Sequence, residues 1–335
     1  MQEIDIFDEV MLSRQLEVQK SKGWDLDKDL NWSGGVDLSK SLLPLNQNNM
    51  LFPNATSEQK LVISQLMGLI VASSIAQLEQ VANDLKEPTW NRFLRKYPVN
   101  PELFELGEHF YEDEMKHSMA FNRYIDSFAA QVNVDPSDLR QFLPQANNSI
   151  ATQIYKLNSL AGGMAIWWLI AAVEEESILI YKYMKGMKGS VDPLYYQLHK
   201  LHFEEEVRHK SYAFMMLKVH EEFSNTPQSL LLKKLDFIIA EVLNLTWTFN
   251  QLFKIRNFKK FENHHPFFKT LASLEGMLGQ RNPLEIINCL FKDTPYISSA
   301  LHMSEQKHVK ELLDRFGVPS IPLSKTKTVG ELCTA

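Results

Sequence analysis

The chain has 335 residues, 44% of them apolar and 23% charged, with a formal net charge of −6; this describes a globular protein, excludes a disordered one, and argues against nucleic-acid binding by bulk electrostatics. The two cysteines, Cys289 and Cys333, lie far apart, which excludes a disulfide framework and fits a reducing cytoplasm. The acidic start MQEIDIFDEV lacks the apolar run of a secretory signal.

Residues 1 to about 55 mix Asn, Ser, Gly and Asp with breakers at Gly34-Gly35, Pro44 and Pro53, and read as an irregular segment wrapping the surface. Long helical patterns follow. Ser57 is the expected N-cap of a helix running to about Leu85. Pro101 opens a second helix to about Val132, and the interval 133–146, with Pro136 and Pro144, reads as a connection with a short helical turn. A third helix is expected from about Ser149 to Lys185, closed by Gly186 and Gly189, and Pro193 opens a fourth to about Phe223. Further helical patterns cover about 228–256, 266–279, 283–293 and 296–316. Strand alternation is hardly visible. The expected fold is all-α: one helical domain over 1–335, with a four-helix core at 57–223 and additional helices at 228–317. The alternative is a bundle with a small C-terminal helical subdomain.

Two stretches without charge, Leu61–Leu78 and Leu157–Val173, approach the length of a membrane span. Ser64, Gln65, Ser73, Ser74 and Gln77 interrupt the first, and the second runs directly into Glu174-Glu175-Glu176, so both read as buried bundle helices and no membrane is expected.

The chemistry concentrates on these helices. In the run HFEEEVRH, residues 202–209, a helix turning about 100° per residue brings His202, Glu206 and His209 onto one face and turns Glu204 and Glu205 elsewhere. The second helix repeats the spacing in Glu114 and His117. On the first helix Glu79 is the one acidic residue between Lys60 and Asn83, following Ala72, Ile75 and Ala76 on an apolar face, where an ionised carboxylate needs a partner or a metal. The third helix has no acidic residue from Ala151 to Val173, then three in a row. Glu175 continues the face of Trp168, Ala171 and Ala172, while periodicity alone leaves Glu174 and Glu176 open. Two helix pairs, each reading Glu then Glu-x-x-His, form an internal repeat of the kind that holds two metals in ferritin-like bundles. The repeat breaks where His202 stands one turn before Glu206 while Phe110 stands one turn before Glu114. Four carboxylates and three imidazoles favour iron, with manganese second, over a thiolate metal.

These residues resemble the bacterial di-iron N-oxygenases typified by p-aminobenzoate N-oxygenase of aureothin biosynthesis and the arylamine oxygenase of chloramphenicol biosynthesis. The resemblance rests on His202-x-x-x-Glu206-x-x-His209, Glu79, Glu114-x-x-His117 and a Glu 27 residues before His202; that last spacing selects Glu175. It implies a ferritin-like di-metal bundle and two irons bound by Glu79, Glu114, His117, Glu175, His202, Glu206 and His209. It also implies O2 as oxidant, a small-molecule amine oxidised through hydroxylamine toward nitro, an external electron donor and a homodimer. The chain departs from an aminobenzoate site in having no Arg or Lys between Leu61 and Asp84, which leaves Arg92, Arg95 and Arg123 as other cations for a substrate carboxylate. The rival functions are a di-iron C–H hydroxylase or desaturase, an iron-handling protein on the same bundle, and a metal-free structural protein.

Phe110 and Phe121, one turn before Glu114 and one turn after His117, are the expected walls of a pocket over the metals. His109 and His199 read as surface or supporting histidines. Glu108, Asp113, Glu205 and Asp126 read as solvated charges, and the basic run FKIRNFKK at 253–260 as a solvated or dimer-contact segment.

Overall fold

The structure is a computed structural model, described here for residues 9–43, 52–96, 99–145, 150–223, 230–253, 258–278 and 303–318. Ten helices matter to the architecture: α1 (Glu9–Lys22), α2 (Ser57–Leu85), α3 (Pro101–Gln131), α4 (Pro136–Arg140), α5 (Ile150–Asn158), α6 (Ala165–Lys185), α7 (Pro193–Phe223), α8 (Leu230–Phe253), α9 (Pro266–Leu278) and α10 (Lys307–Arg315). Among the described residues there is no β-strand, only an isolated parallel bridge between Ser41 and Val191. Helices α2 and α3 pack as one pair, α6 and α7 as another, and contact between α3 and α7 joins the pairs into a four-helix core. Around it α1 lies on α3, α9 on α2, and both α8 and α10 on α6.

Local chemistry explains most boundaries. Thr56, one residue before the expected cap, closes the start of α2 with a capping box: its hydroxyl accepts from Gln59 N, and the Gln59 side chain accepts from Thr56 N. Pro101 opens α3, as the sequence predicts, and Asn100 caps it by accepting from Glu102 N. Pro88 explains the wide π-helical turn Lys86–Asn91 that ends α2, since proline removes an amide donor and crowds the preceding turn.

Two expectations need correction. The N-terminal segment is not irregular throughout: α1 forms because Leu12, Leu16 and Gln19, spaced to share one helical face, bury against the bundle. The expected third helix is two helices, α5 and α6, broken around Gly162-Gly163, where Gly163 takes a φ of 85° that only glycine adopts readily. The amides around the start of α6 are satisfied by side-chain acceptors: Asp236 on α8 accepts from Gly162 N at 3.0 Å and Met164 N at 3.2 Å, and Asn158 from Ile166 N at 3.0 Å. Of the C-terminal pattern at about 296–316, the described part is a 3₁₀ turn at Met303–Glu305 followed by α10, and the rest lies outside the described residues. The pattern at 283–293 lies outside the described residues.

The helical segment Ser57–Leu94 is long and apolar enough to cross a membrane, and 72% of its apolar window is buried within the molecule, as a core helix requires. The second uncharged stretch spans the α5–α6 break and is not one continuous helix.

The apolar core divides in two. One cluster takes Ile75 and Ala76 of α2, Ala120 and Phe121 of α3, Ile180 of α6 and Leu198 of α7. The other takes Val81 of α2, Phe110 of α3, Ala172 of α6 and Tyr212 of α7. On all four helices the residues between the clusters are the acidic and imidazole side chains singled out from the sequence, so a polar layer crosses the bundle at one level.

Away from that layer, His220 near the end of α7 is 5% exposed and stacks on Phe93 at 3.6 Å between ring centroids. Burial pushes its imidazole down to about 3. It is neutral when folded and protonates near 6.5 when unfolded, so its contribution to stability is full above about pH 6.5 and is lost as pH falls toward 3. In urea unfolding, His220→Phe should remove about 2 kcal/mol of the stability difference between pH 7 and pH 5; an unchanged pH dependence would show that His220 is not buried neutral.

Candidate metal centre

Each core helix contributes to the polar layer. Glu79 projects from α2, Glu114 and His117 from α3, and His202, Glu206 and His209 from α7, each at most 4% exposed. Their polar atoms converge. His202 Nε2 lies 2.9 Å from Glu79 Oε1 and 2.5 Å from Glu206 Oε1. His117 Nδ1 lies 3.2 Å from Glu206 Oε1. His209 Nδ1 lies 2.8 Å from Glu114 Oε1 and 3.1 Å from Glu206 Oε2. Two overlapping sets have ligand atoms within 4.8 Å of one another: Glu79, His117, His202 and Glu206, and Glu114, His117, Glu206 and His209. Sharing His117 and Glu206 places the two sets side by side, as a two-metal site requires.

The carboxylate that α6 turns into this layer is Glu174, not Glu175. Glu174 hydrogen-bonds Glu206 and lines the same cavity as Glu79, Glu114 and Glu206. Glu175 points away: its Oε2 accepts from His308 N at 2.8 Å, which caps the start of α10. The cause lies in α6, which is apolar on nearly every face. The face of Trp168, Ala171 and Ala172 that Glu175 continues is the one packed on α8 and α10, with Trp168 at 5.3 Å from Phe237 and 5.7 Å from Phe316.

The electrostatics fit a cation. Burial, reinforced by neighbouring carboxylates, pushes Glu79 and Glu174 well above the usual carboxylate range, and burial raises Glu114. Glu206 is also buried, but the surrounding imidazoles, His202 and His209 foremost, hold it well below that range. Burial opposes charge on His117, yet the hydrogen bonds it donates to Glu205 and Glu206 push it up to about 9. The metal-free layer therefore keeps protons on carboxyls and imidazoles that a metal would displace, and metal uptake should release protons. Glu79 Oε2 and His202 Nδ1 are buried without a hydrogen-bond partner, a cost that a ligand to Glu79 Oε2 relieves. Four carboxylates with three imidazoles, and no thiol among them, suit iron or manganese.

The outer faces of two imidazoles are held by carboxylates expected to be solvated. Glu205 is fully buried and lies 2.6 Å from His117 Nε2, and Asp113 lies 3.4 Å from His209 Nε2. Each fixes a ring so that Nδ1 faces the centre. The pairing crosses between helices, with α7 supporting the imidazole of α3 and α3 that of α7. Lys116 bridges the two carboxylates at 2.8 Å to each, and Gln19 of α1 bonds Asp113 while accepting from Arg208 Nε at 2.8 Å. The sequence held a signal for this: in both halves an acidic residue directly precedes the Glu of Glu-x-x-His.

Phe110 and Phe121 do not wall the pocket. Phe110 packs edge-on against His209 at 4.9 Å and Phe121 against His202 at 5.1 Å, supporting the imidazoles from behind. His109 is half-buried beside Glu112, whereas His199 is buried between Phe121 and Tyr195. The cavity opens on the other side of the layer, between α2 and α6, with Ile154 of α5 against it. Its walls include Leu78, Val81 and Leu85 of α2 and Ile166, Ile170 and Val173 of α6. About 560 Å³ is free of protein atoms, part of it open to solvent.

A family model described as P-aminobenzoate N-oxygenase AurF matches residues 9–263. No curated protein and no solved structure matches the chain.

Proposed function

The chain belongs to the p-aminobenzoate N-oxygenase family AurF, and from that premise we propose that it is a di-iron enzyme that uses O2 to oxidise the amine nitrogen of a small molecule. The observation that supports this most directly is the pair of overlapping ligand sets across α2, α3 and α7, completed by Glu174 of α6. Iron held there would activate O2, which supplies the oxidising equivalents, with electrons from an external donor.

The chain's own residues do the rest. Glu79, Glu114, Glu174 and Glu206 offset the charge of two divalent ions. His117, His202 and His209 supply neutral donors, two of them oriented by Glu205 and Asp113. The aliphatic walls of α2 and α6 exclude water and hold the substrate body above the carboxylates. The widely separated cysteines favour a cytoplasmic enzyme, and the family resemblance favours a homodimer.

The test is reconstitution with Fe(II) without oxygen, metal analysis, then O2 with an arylamine. About two irons per chain and a hydroxylamine or nitro product are expected. Absence of bound metal, or iron passing to a ferric mineral with no amine product, would sink the reading. Hydroxylated alkyl probes with untouched amines would move it to a C–H hydroxylase.

A further inference from the structure

We propose, on the N-oxygenase reading, that the substrate is an arylamine whose body has no charge, and that the cavity rejects the free carboxylate of an aminobenzoate. The argument starts from the walls. Among the described residues, apart from the four glutamates at its floor, every side chain lining the cavity is aliphatic except Ser177. Among the described residues a substrate carboxylate placed there meets no cation and at most one hydroxyl donor, and a buried anion without partners is strongly disfavoured. The floor offers little help, because two divalent metals are already balanced by four carboxylates.

The nearby cations are engaged elsewhere. Lys86 pairs with Glu108 at 2.5 Å, and Lys116 is held by Asp113 and Glu205 behind His117. Arg92 and Arg95 sit at the exposed Glu87, and Arg123 pairs with Asp27 near the surface. None of the five lines the cavity.

The same walls disfavour an alkylammonium. Such an amine is protonated at neutral pH and would shed water for hydrocarbon, whereas an arylamine enters as its free base. Leu78, Ala82 and Val173 keep part of their surface exposed, so the slot reaches solvent between α2 and α6. Ser177 follows Glu174 by one helical turn and puts the one neutral polar side chain of the wall beside the floor. That places a hydrogen-bond partner near the reacting end and leaves hydrocarbon contact for the rest of the molecule.

The deciding probes are 4-aminobenzoate and its methyl ester, which share ring and amine and differ in charge. Binding to the full-length, Fe(II)-loaded protein is measured by calorimetry without oxygen, and N-oxidised product is measured after O2. The ester should bind, and the acid should be weaker on the order of a hundredfold in both Kd and kcat/KM. Equal or better binding of the acid, or no binding of either, overturns the proposal. Ester binding without N-oxidation would instead fail the N-oxygenase reading while leaving the cavity's preference intact. In Ile170→Arg the new guanidinium should raise the acid's affinity relative to the ester by about tenfold or more; should that variant misfold, the unmodified protein still decides.

Discussion

Glu174→Ala is expected to leave a folded chain with about one metal in place of about two, and to lower amine oxidation about a thousandfold or more, since loss of an outer partner of a metal ligand already costs about 10–100-fold. Glu175→Ala is expected to keep both metals and most activity while losing about 1–2 kcal/mol of stability, because it removes an acceptor from the start of α10. The contrast follows from two adjacent carboxylates with opposite surroundings. Glu174 shares a hydrogen bond with Glu206 in the polar layer, and Glu175 sits on the face packed against α10. Metal analysis and thermal melting on the two variants give the answer together. If Glu175→Ala lost a metal and Glu174→Ala did not, the assignment from the structure would be reversed.

Glu79 was legible because no other acidic residue stands between Lys60 and Asn83, and a lone carboxylate on so apolar a helix has to find a partner. The Glu-x-x-His repeat was legible because spacing alone brings Glu206, His202 and His209 together. Helix α6 defeats the same reasoning. It is buried by α7 on one side, by α8 and α10 on another and by the cavity on a third, so its apolar pattern has no preferred direction, and three consecutive glutamates meet three environments. The α5–α6 break was written in Gly162-Gly163, but its strength comes from Asp236, more than 70 residues away in sequence, which no local window can see. Glu205 and Asp113 were set aside for a related reason. A helical wheel turns them away from the ligand face, and only the approach of α3 to α7, with α1 laid across, makes that second direction an interior one.

That tight approach also sets the second large expectation. Gly107→Ala should destabilise the protein by about 3 kcal/mol or more, at the upper end of overpacking costs. A Cβ at this position would fall inside contact distance of the Tyr212 hydroxyl and the Trp90 ring, and neither has room to give. Trp90 is fully buried and donates its indole N–H to the Tyr212 oxygen, while Phe104 stacks on it at 4.6 Å and Tyr111 meets its edge at 5.4 Å. Tyr212 is 4% exposed and stacks on Phe110, which in turn supports His209. Extra volume at Gly107 therefore pushes on a chain of rings that ends at a metal-facing imidazole. A second substitution separates the steric cause from simple helix chemistry. Alanine is the better helix former by about 1 kcal/mol, so in the Tyr212→Phe, Trp90→Phe background, which removes the hydroxyl and shrinks the ring, Gly107→Ala should cost much less than in the natural chain. Urea unfolding across that cycle measures the coupling, and an equal cost in both backgrounds would show that the close approach of α3, α7 and the π-turn does not set the requirement for glycine.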